Sequence, residues 1–327
     1  MHTLLSTSAL ADLYMSRPSP DMFGPETDRP CLVIDTDTLK PEWSAWLMQL
    51  PCPVIGIGPT PQACCDVVLT DTRDLDLIYD NIQRAPLTAL VLVQQLRLQE
   101  KLSLTEALTS ESLAYATVQN GPEFKHWLDS YTPDVMAETQ PDTPLTLEIT
   151  DGTLALTFNR PDAHNAIDVT MRDALCEAFE LALSDPDIQQ VTLTGTGRTF
   201  STGGEVAEFG SVSDPATAHW IRGLRLPAQK IAQLGTPFHV HVNGAAIGAG
   251  AEIAAFGAHV SAPPEAWFQL PELKYGLIPG AGGTASLPRK MDGGPLGRQR
   301  TAYMALSMKK IRAQTALDWG LVDAIVE

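Results

Sequence analysis

Gly244-Ala-Ala-Ile-Gly248-Ala249-Gly250-Ala251-Glu252-Ile253-Ala254-Ala255 is a run of small and apolar residues with one charge, the carboxylate of Glu252. The pattern reads as a glycine-rich turn feeding a tightly packed helix, because residues without bulk let two backbones approach. A lone carboxylate in such a place is costly to bury unless it is paired or used. Twenty residues on, Glu272 closes the run Trp267-Phe268-Gln269-Leu270-Pro271 and precedes a second glycine-rich turn, Pro279-Gly280-Ala281-Gly282-Gly283-Thr284. Two carboxylates, each beside a turn that admits backbone to a ligand, form a candidate acid/base pair. The plainer alternative is one glutamate on a helix surface and one in a loop.

Working outward, the flanking sequence is regular. Leu145-Thr-Leu-Glu-Ile-Thr alternates apolar and polar residues, Asp151-Gly152 supplies a hairpin turn, and Leu154-Ala-Leu-Thr-Phe158 alternates again. A helix is predicted after Asn159-Arg160-Pro161, with Met171, Leu175, Ala178, Phe179 and Ala182 on its apolar face and capping-box spacing at Thr170 and Asp173. Val191-Thr-Leu-Thr and Phe238-His-Val-His-Val242 read as further strands. Strand, turn and helix recur, so residues 145–327 read as α/β with parallel connections.

Residues 131–144 hold three prolines among polar residues and read as a linker. Before it, residues 1–130 form a separate N-terminal α/β region. Cys31-Leu-Val-Ile34, Val54-Ile-Gly-Ile57 and Val67-Val-Leu69 read as short strands, and Ala89 to Val118 reads as helix. Glu106 and Glu111 are expected on its solvated face. His239 and His241 alternate on a covered strand and are expected to be packed side chains with satisfied hydrogen bonds.

Composition bounds the rest. With 327 residues, 44% hydrophobic and 19% charged, the chain has the make-up of a soluble globular protein with room for two domains. No apolar run reaches bilayer length, and Asp12 interrupts an N-terminus that has no basic start, so no signal peptide is expected. Five cysteines without zinc-ligand spacing argue against both a metal site and a disulfide framework. A cytoplasmic location follows as the expectation. The net charge is −17, with 8 Lys+Arg against 20 Asp+Glu in residues 1–143 and 14 against 19 in residues 144–327. Such a surface repels a phosphate backbone, which argues against nucleic acid as a partner. Near the C-terminus, Arg289, Lys290, Arg298, Arg300, Lys309, Lys310 and Arg312 gather as either an anion-binding cluster or a solvated helix face.

Four stretches in order carry a family resemblance: Asn159-Arg-Pro-Asp-Ala-His-Asn-Ala166, Arg198-Thr-Phe-Ser-Thr-Gly-Gly-Glu205, Val242-Asn-Gly-Ala-Ala-Ile-Gly-Ala-Gly-Ala-Glu252, and Leu270-Pro-Glu-Leu-Lys-Tyr-Gly-Leu-Ile-Pro-Gly-Ala-Gly-Gly283. Residues 145–326 thereby resemble the crotonase superfamily, the enoyl-CoA hydratase/isomerase family. The resemblance implies a ββα spiral core and chemistry through an enolate of an acyl-CoA thioester. It implies the backbone N–H groups of Thr202 and Ala249 as an oxyanion hole. It also implies Glu252 and Glu272 as the catalytic pair, with His164, Ala166, Gly203 and Gly248 around substrate and CoA. No cofactor is implied beyond the CoA of the substrate, and the implied assembly is a homo-oligomer, a trimer or a dimer of trimers.

In the family's hydratases both glutamate positions are filled, whereas its isomerases usually keep only the place of Glu272. Hydration is therefore the favoured reading. An enoyl-CoA isomerase, another acyl-CoA enolate chemistry, or a non-catalytic acyl-CoA-binding or assembly subunit are the alternatives. The family often has glycine at the place of Ala249 and a small hydrophobe at that of Thr202, departures that put the acyl group in doubt. Family members usually continue through C-terminal helices that cover the active site. Here Asn81–Val93, Leu104–Glu111, Tyr115 and Glu123–Leu128 resemble those helices loosely, in order, without the lysine that commonly follows their Ala-Pro. Two expectations stand side by side for residues 1–130: a reduced crotonase-like half whose helices act as the cap, or an unrelated accessory domain.

Overall fold

A computed structural model describes residues 3–37, 39–132, 143–212 and 214–326. Most of the expected linker, residues 133–142, lies outside the described residues.

From Leu145 onward the chain alternates between two sheets. The larger has the order Ala324–Ile325, His259–Ala262, Phe238–His241, Gln190–Gly195, Thr153–Phe158, Leu145–Thr150. All its pairings are parallel except the last, an antiparallel hairpin closed by Asp151 and Gly152. Both turn residues have positive φ (48° and 75°), the conformation that matches the twist of a two-residue hairpin. The smaller sheet has the order Ile311–Arg312, Trp267–Gln269, Ala245–Ile247, Thr199–Ser201. The chain thus lays one strand in the large sheet, one in the small sheet, then turns away, three times over: a ββα spiral.

The helix Val169–Ser184 buries Met171, Leu175, Ala178, Phe179 and Ala182 as its periodicity predicts. Its cap differs from the expectation. Asp168 is the N-cap and accepts from the Met171 N–H at 2.8 Å, while the Thr170 hydroxyl is engaged by Asp168 and Arg160. Asp168 also pairs with the Arg160 guanidinium at 2.6 Å, an attachment that a Thr170 cap would lack.

The N-terminal region is α/β as well. Leu4–Leu5, Leu32–Asp35, Val54–Ile57 and Val67–Leu69 form a parallel four-stranded sheet. The helical signal from Ala89 to Val118 resolves into two helices, Pro86–Gln99 and Leu104–Gln119. Ser103 and Glu106 break it with a reciprocal capping box.

These helices share a core with the spiral. Leu92 and Leu96 belong to one continuous apolar cluster with Leu154, Phe179, Phe268 and Leu321. Leu108 is buried with Leu226, Ala228 and Ala285, and Leu104 packs against that group half-buried. Buried polar contacts fasten the same junction. Arg298, fully buried, reaches Asp66 at 3.0 Å and Glu100 at 2.7 Å, and Arg97 is held on the other side of Asp66. Arg289 donates to the Gln99 side chain and the Leu102 carbonyl, and Asn81 to the Leu306 carbonyl. Lys290 pairs with Asp323, Arg300 with Asp292 and Lys309 with Asp74. Within the C-terminal cationic cluster, Arg289 and Arg298 are thus spent on contacts inside the fold and Lys290, Arg300 and Lys309 on ion pairs, whereas Lys310 and Arg312 are exposed as a solvated face predicts.

All five cysteines are free and buried. Among the described residues no helix is long and apolar enough to cross a membrane, and no group of His, Cys, Asp and Glu stands close enough to hold a metal ion.

Candidate active site

Thr199–Ser201, Ala245–Ile247 and Trp267–Gln269 lie side by side and parallel, so their carboxyl ends open at one edge of the small sheet. The residues that follow each strand meet there, at the edge where parallel sheets present ligand sites. A side-chain carbon on Gly203 would lie 2.6 Å from the Ile247 carbonyl and 3.0 Å from the Ala249 nitrogen, so only glycine lets these two turns touch. Gly248 has φ +51°, and a side-chain carbon there would sit 2.6 Å from Glu272 Oε1. The turn before Ala249 is thus packed directly against the Glu272 carboxylate.

Glu252 projects from the short helix Ala249–Ala254 and is 2% exposed. Its Oε2 accepts from the Ala281 N–H at 2.6 Å and the Gly283 N–H at 2.7 Å, while Oε1 makes no hydrogen bond among the described residues. Burial, then the charges of Glu272 and Glu111, hold its carboxyl well above the usual range, and the two backbone donors oppose that rise. Burial also raises Glu272, to about 8, against the pull of its own main-chain N–H and of Lys274. Its Oε2 is sealed from water and meets no donor among the described residues. Neighbouring buried carboxyls resist carrying two charges at once. The two N–H donors favour the anion on Glu252, and their absence at Glu272 Oε2 favours the proton there.

Glu252, Glu272 and Ala249 line an inner cavity of about 180 Å³. An outer cavity of about 650 Å³ is lined by His164, Ala166, Thr202, Gly248 and Glu272, among others. Glu272 therefore stands between the two. Gly203 is buried beneath the turn and belongs to neither lining.

The two expected oxyanion donors differ. The Ala249 N–H heads its helix and has no acceptor among the described residues. The Thr202 N–H instead donates to the His164 carbonyl at 3.1 Å. His164 and Asn165 both take left-handed backbone (φ 52° and 54°), which turns that carbonyl onto the Thr202 turn. A ligand oxygen at this point would share the Thr202 donor with His164.

Sequence reasoning misplaced one residue of the site. Glu111 is not on a solvated face: it is fully buried and meets the same loop that holds Glu252. Its Oε1 accepts from the Gly282 N–H at 2.7 Å, and its Oε2 from the Thr284 N–H at 2.8 Å and hydroxyl at 2.7 Å. Tyr115, legible only as part of the loose resemblance to the cap helices, and Arg222, which carried no recognisable signal, also line the inner cavity. His239 and His241 are packed as expected, against Gln190 and Ser261.

A family model described as enoyl-CoA hydratase/isomerase matches residues 148–327, more than half of the chain. The chain belongs to the enoyl-CoA hydratase/isomerase family. Over 172 residues it is 36% identical to 2,3-dehydroadipyl-CoA hydratase of Escherichia coli (strain K12), a match covering 53% of this chain and 65% of that relative. The chain thus spans just under two thirds of that relative's length. It is 33% identical over 182 residues to 1,2-epoxyphenylacetyl-CoA isomerase of the same organism, covering 54% of this chain and 67% of the relative. Among solved structures, enoyl-CoA hydratase from Thermoplasma volcanium GSS1 superposes with a TM-score of 0.50 at 31% identity, over 56% of this chain and 71% of that one. The family thus covers the spiral and its site.

Proposed function

We propose that this chain adds water across the 2,3 double bond of an enoyl-CoA thioester. One observation carries the reading: two carboxylates with opposite hydrogen-bond surroundings line one small cavity beside an unengaged helix-start N–H. Water bound between the glutamates gives a proton to Glu252 as its oxygen attacks C3. The negative charge that gathers on the thioester oxygen is met by the Ala249 N–H, with the helix start adding to the field, and by the Thr202 N–H. Glu272 then delivers its proton to C2, and the product leaves with one water added. CoA extends through the outer cavity past His164 and Ala166, and the acyl group enters the inner one. The reading calls for no cofactor beyond the CoA of the substrate, and it carries the family's homo-oligomer, a trimer or a dimer of trimers, as its expected assembly.

Isomerisation is the second reading, favoured by the raised Glu272 carboxyl, which by itself suffices to shuttle one proton. A panel of 2-enoyl-CoA and 3-enoyl-CoA substrates separates the two. Hydration consumes the conjugated 2-enoyl thioester and yields a 3-hydroxyacyl product, whereas isomerisation creates the conjugated thioester from the 3-enoyl substrate. Turnover of 3-enoyl-CoA alone, lost in Glu272→Gln and kept in Glu252→Gln, would replace hydration by isomerisation.

A further inference from the structure

Arg222, on the helix Pro215–Arg225, lines the inner cavity with donors that no acceptor among the described residues engages. Its Nε and Nη2 are sealed from water and have no acceptor among the described residues. Apart from Glu252 and Glu272, the pair proposed for the chemistry, the other ionisable groups that line the cavity have partners. Arg172 is held by Asp173 at 2.8 Å and Asp168 by Arg160 at 2.6 Å. Glu208 accepts from the Val169 N–H at 3.0 Å. Glu111 feels the Arg222 charge, but all its hydrogen bonds come from Gly282 and Thr284.

The guanidinium is also held in place. Its central carbon stands 4.1 Å from the centre of the Tyr115 ring, so the arginine is seated over the aromatic face. Room for both groups comes from Gly280: a side-chain carbon there would lie 2.1 Å from the Tyr115 ring and 3.0 Å from Arg222 Nη2. A half-buried, oriented guanidinium with two sealed and unused donors calls for an acceptor. The planar fork of N–H groups fits the two oxygens of a carboxylate better than any single-point acceptor.

We propose that Arg222 receives a carboxylate carried by the acyl chain, which makes the substrate class enoyl-CoA thioesters of dicarboxylic acids rather than plain fatty acyl thioesters. The proposal rests on the reading of the inner cavity as the acyl pocket. Glu272 borders both cavities, so a thioester set at the glutamates sends CoA outward and the far end of the acyl chain inward, to Arg222. The cavity of about 180 Å³ limits that chain to a short one.

The test compares kcat/KM for trans-2-hexenedioyl-CoA and trans-2-hexenoyl-CoA, which share chain length and reacting bond and differ by one carboxylate. The wild-type protein should prefer the diacid at least tenfold. Arg222→Gln should reduce the diacid-to-monoacid ratio by at least about thirtyfold, the scale of losing one partner of a buried charge pair. Arg222→Lys should keep part of the preference. The monoacid reports whether each variant is folded. A wild-type preference for hexenoyl-CoA, or equal losses on both substrates in Arg222→Gln, overturns the proposal. If neither substrate is turned over, calorimetric binding of adipyl-CoA and hexanoyl-CoA decides. Tighter adipyl-CoA binding that Arg222→Gln abolishes upholds the carboxylate site while rejecting hydration, and equal binding rejects the site.

Discussion

Glu252 and Glu111 reach the same loop from opposite ends of the chain. Glu252 comes from the six-residue helix Ala249–Ala254 of the spiral and takes the N–H groups of Ala281 and Gly283. Glu111 comes from the N-terminal helix Leu104–Gln119 and takes the alternate N–H groups, Gly282 and Thr284, with the Thr284 hydroxyl. Both are buried, and both carboxyls are raised above the usual range first of all by that burial. They differ in what is left over. Glu111 has both oxygens engaged by the protein, whereas Glu252 keeps Oε1 free in a cavity that Glu111 does not line. Equal burial therefore leaves two different capacities: Glu111 is committed to the loop, and Glu252 retains an oxygen for the proposed chemistry.

The sharpest way to break this comparison is at Glu111. Replacing it with Leu strands three buried donors and should cost about 3–5 kcal/mol of stability by denaturant unfolding. Glu111→Gln keeps an acceptor oxygen and should cost less. A Leu variant as stable as wild type would show that the loop does not depend on Glu111.

A similar loss is expected where the two regions share their core. Leu96→Ala removes a fully buried side chain at the shared core and should cost about 2–5 kcal/mol in one cooperative transition of the whole chain. A residue 145–327 fragment expressed alone should bind a hydrophobic dye, because the face covered by these helices becomes exposed. A soluble, fully active fragment would instead mark residues 3–130 as an accessory domain.

Smaller, and confined to turnover, is the effect at the helix start. Ala249→Pro removes the unengaged N–H and should raise the barrier by about 3 kcal/mol. Ala249→Gly keeps that N–H and should leave turnover near normal. Equal damage from both would place the effect in the side chain.

A further probe is pH. Glu272 has a folded carboxyl near 8 against an ordinary 4.5, so the folded chain keeps a proton that the unfolded chain has lost. Its contribution to stability is complete below about pH 4.5 and declines as pH rises towards 8, then levels off. Glu272→Gln should flatten that part of the stability profile. Hydration by a protonated Glu272 should likewise fall on the alkaline side near pH 8. A stability profile unchanged by the substitution would contradict a raised Glu272.

What the sequence disclosed follows from how local each signal is. Glu252 is legible because its neighbours are almost all Gly and Ala, so a single charge stands out within ten residues. The hairpin at Asp151-Gly152 and the apolar face of Val169–Ser184 are equally local. Glu111 is not legible: it shares a polar, Ser- and Thr-rich helix with Glu106, which is exposed and caps the same helix. Only contact with a loop some 170 residues away distinguishes the two. The engagement of the Thr202 N–H was illegible for the same reason, since its acceptor, the His164 carbonyl, lies on a turn 38 residues earlier.

The division of labour between the two buried glutamates is tested most directly by measuring 2-enoyl-CoA hydration and thermal unfolding together in Glu252→Gln and Glu111→Gln. Glu252→Gln should lose turnover by two orders of magnitude or more with a melting temperature unchanged or raised. Glu111→Gln should lose stability and keep turnover within about tenfold at a temperature where it remains folded. Near-normal hydration by Glu252→Gln would contradict the account.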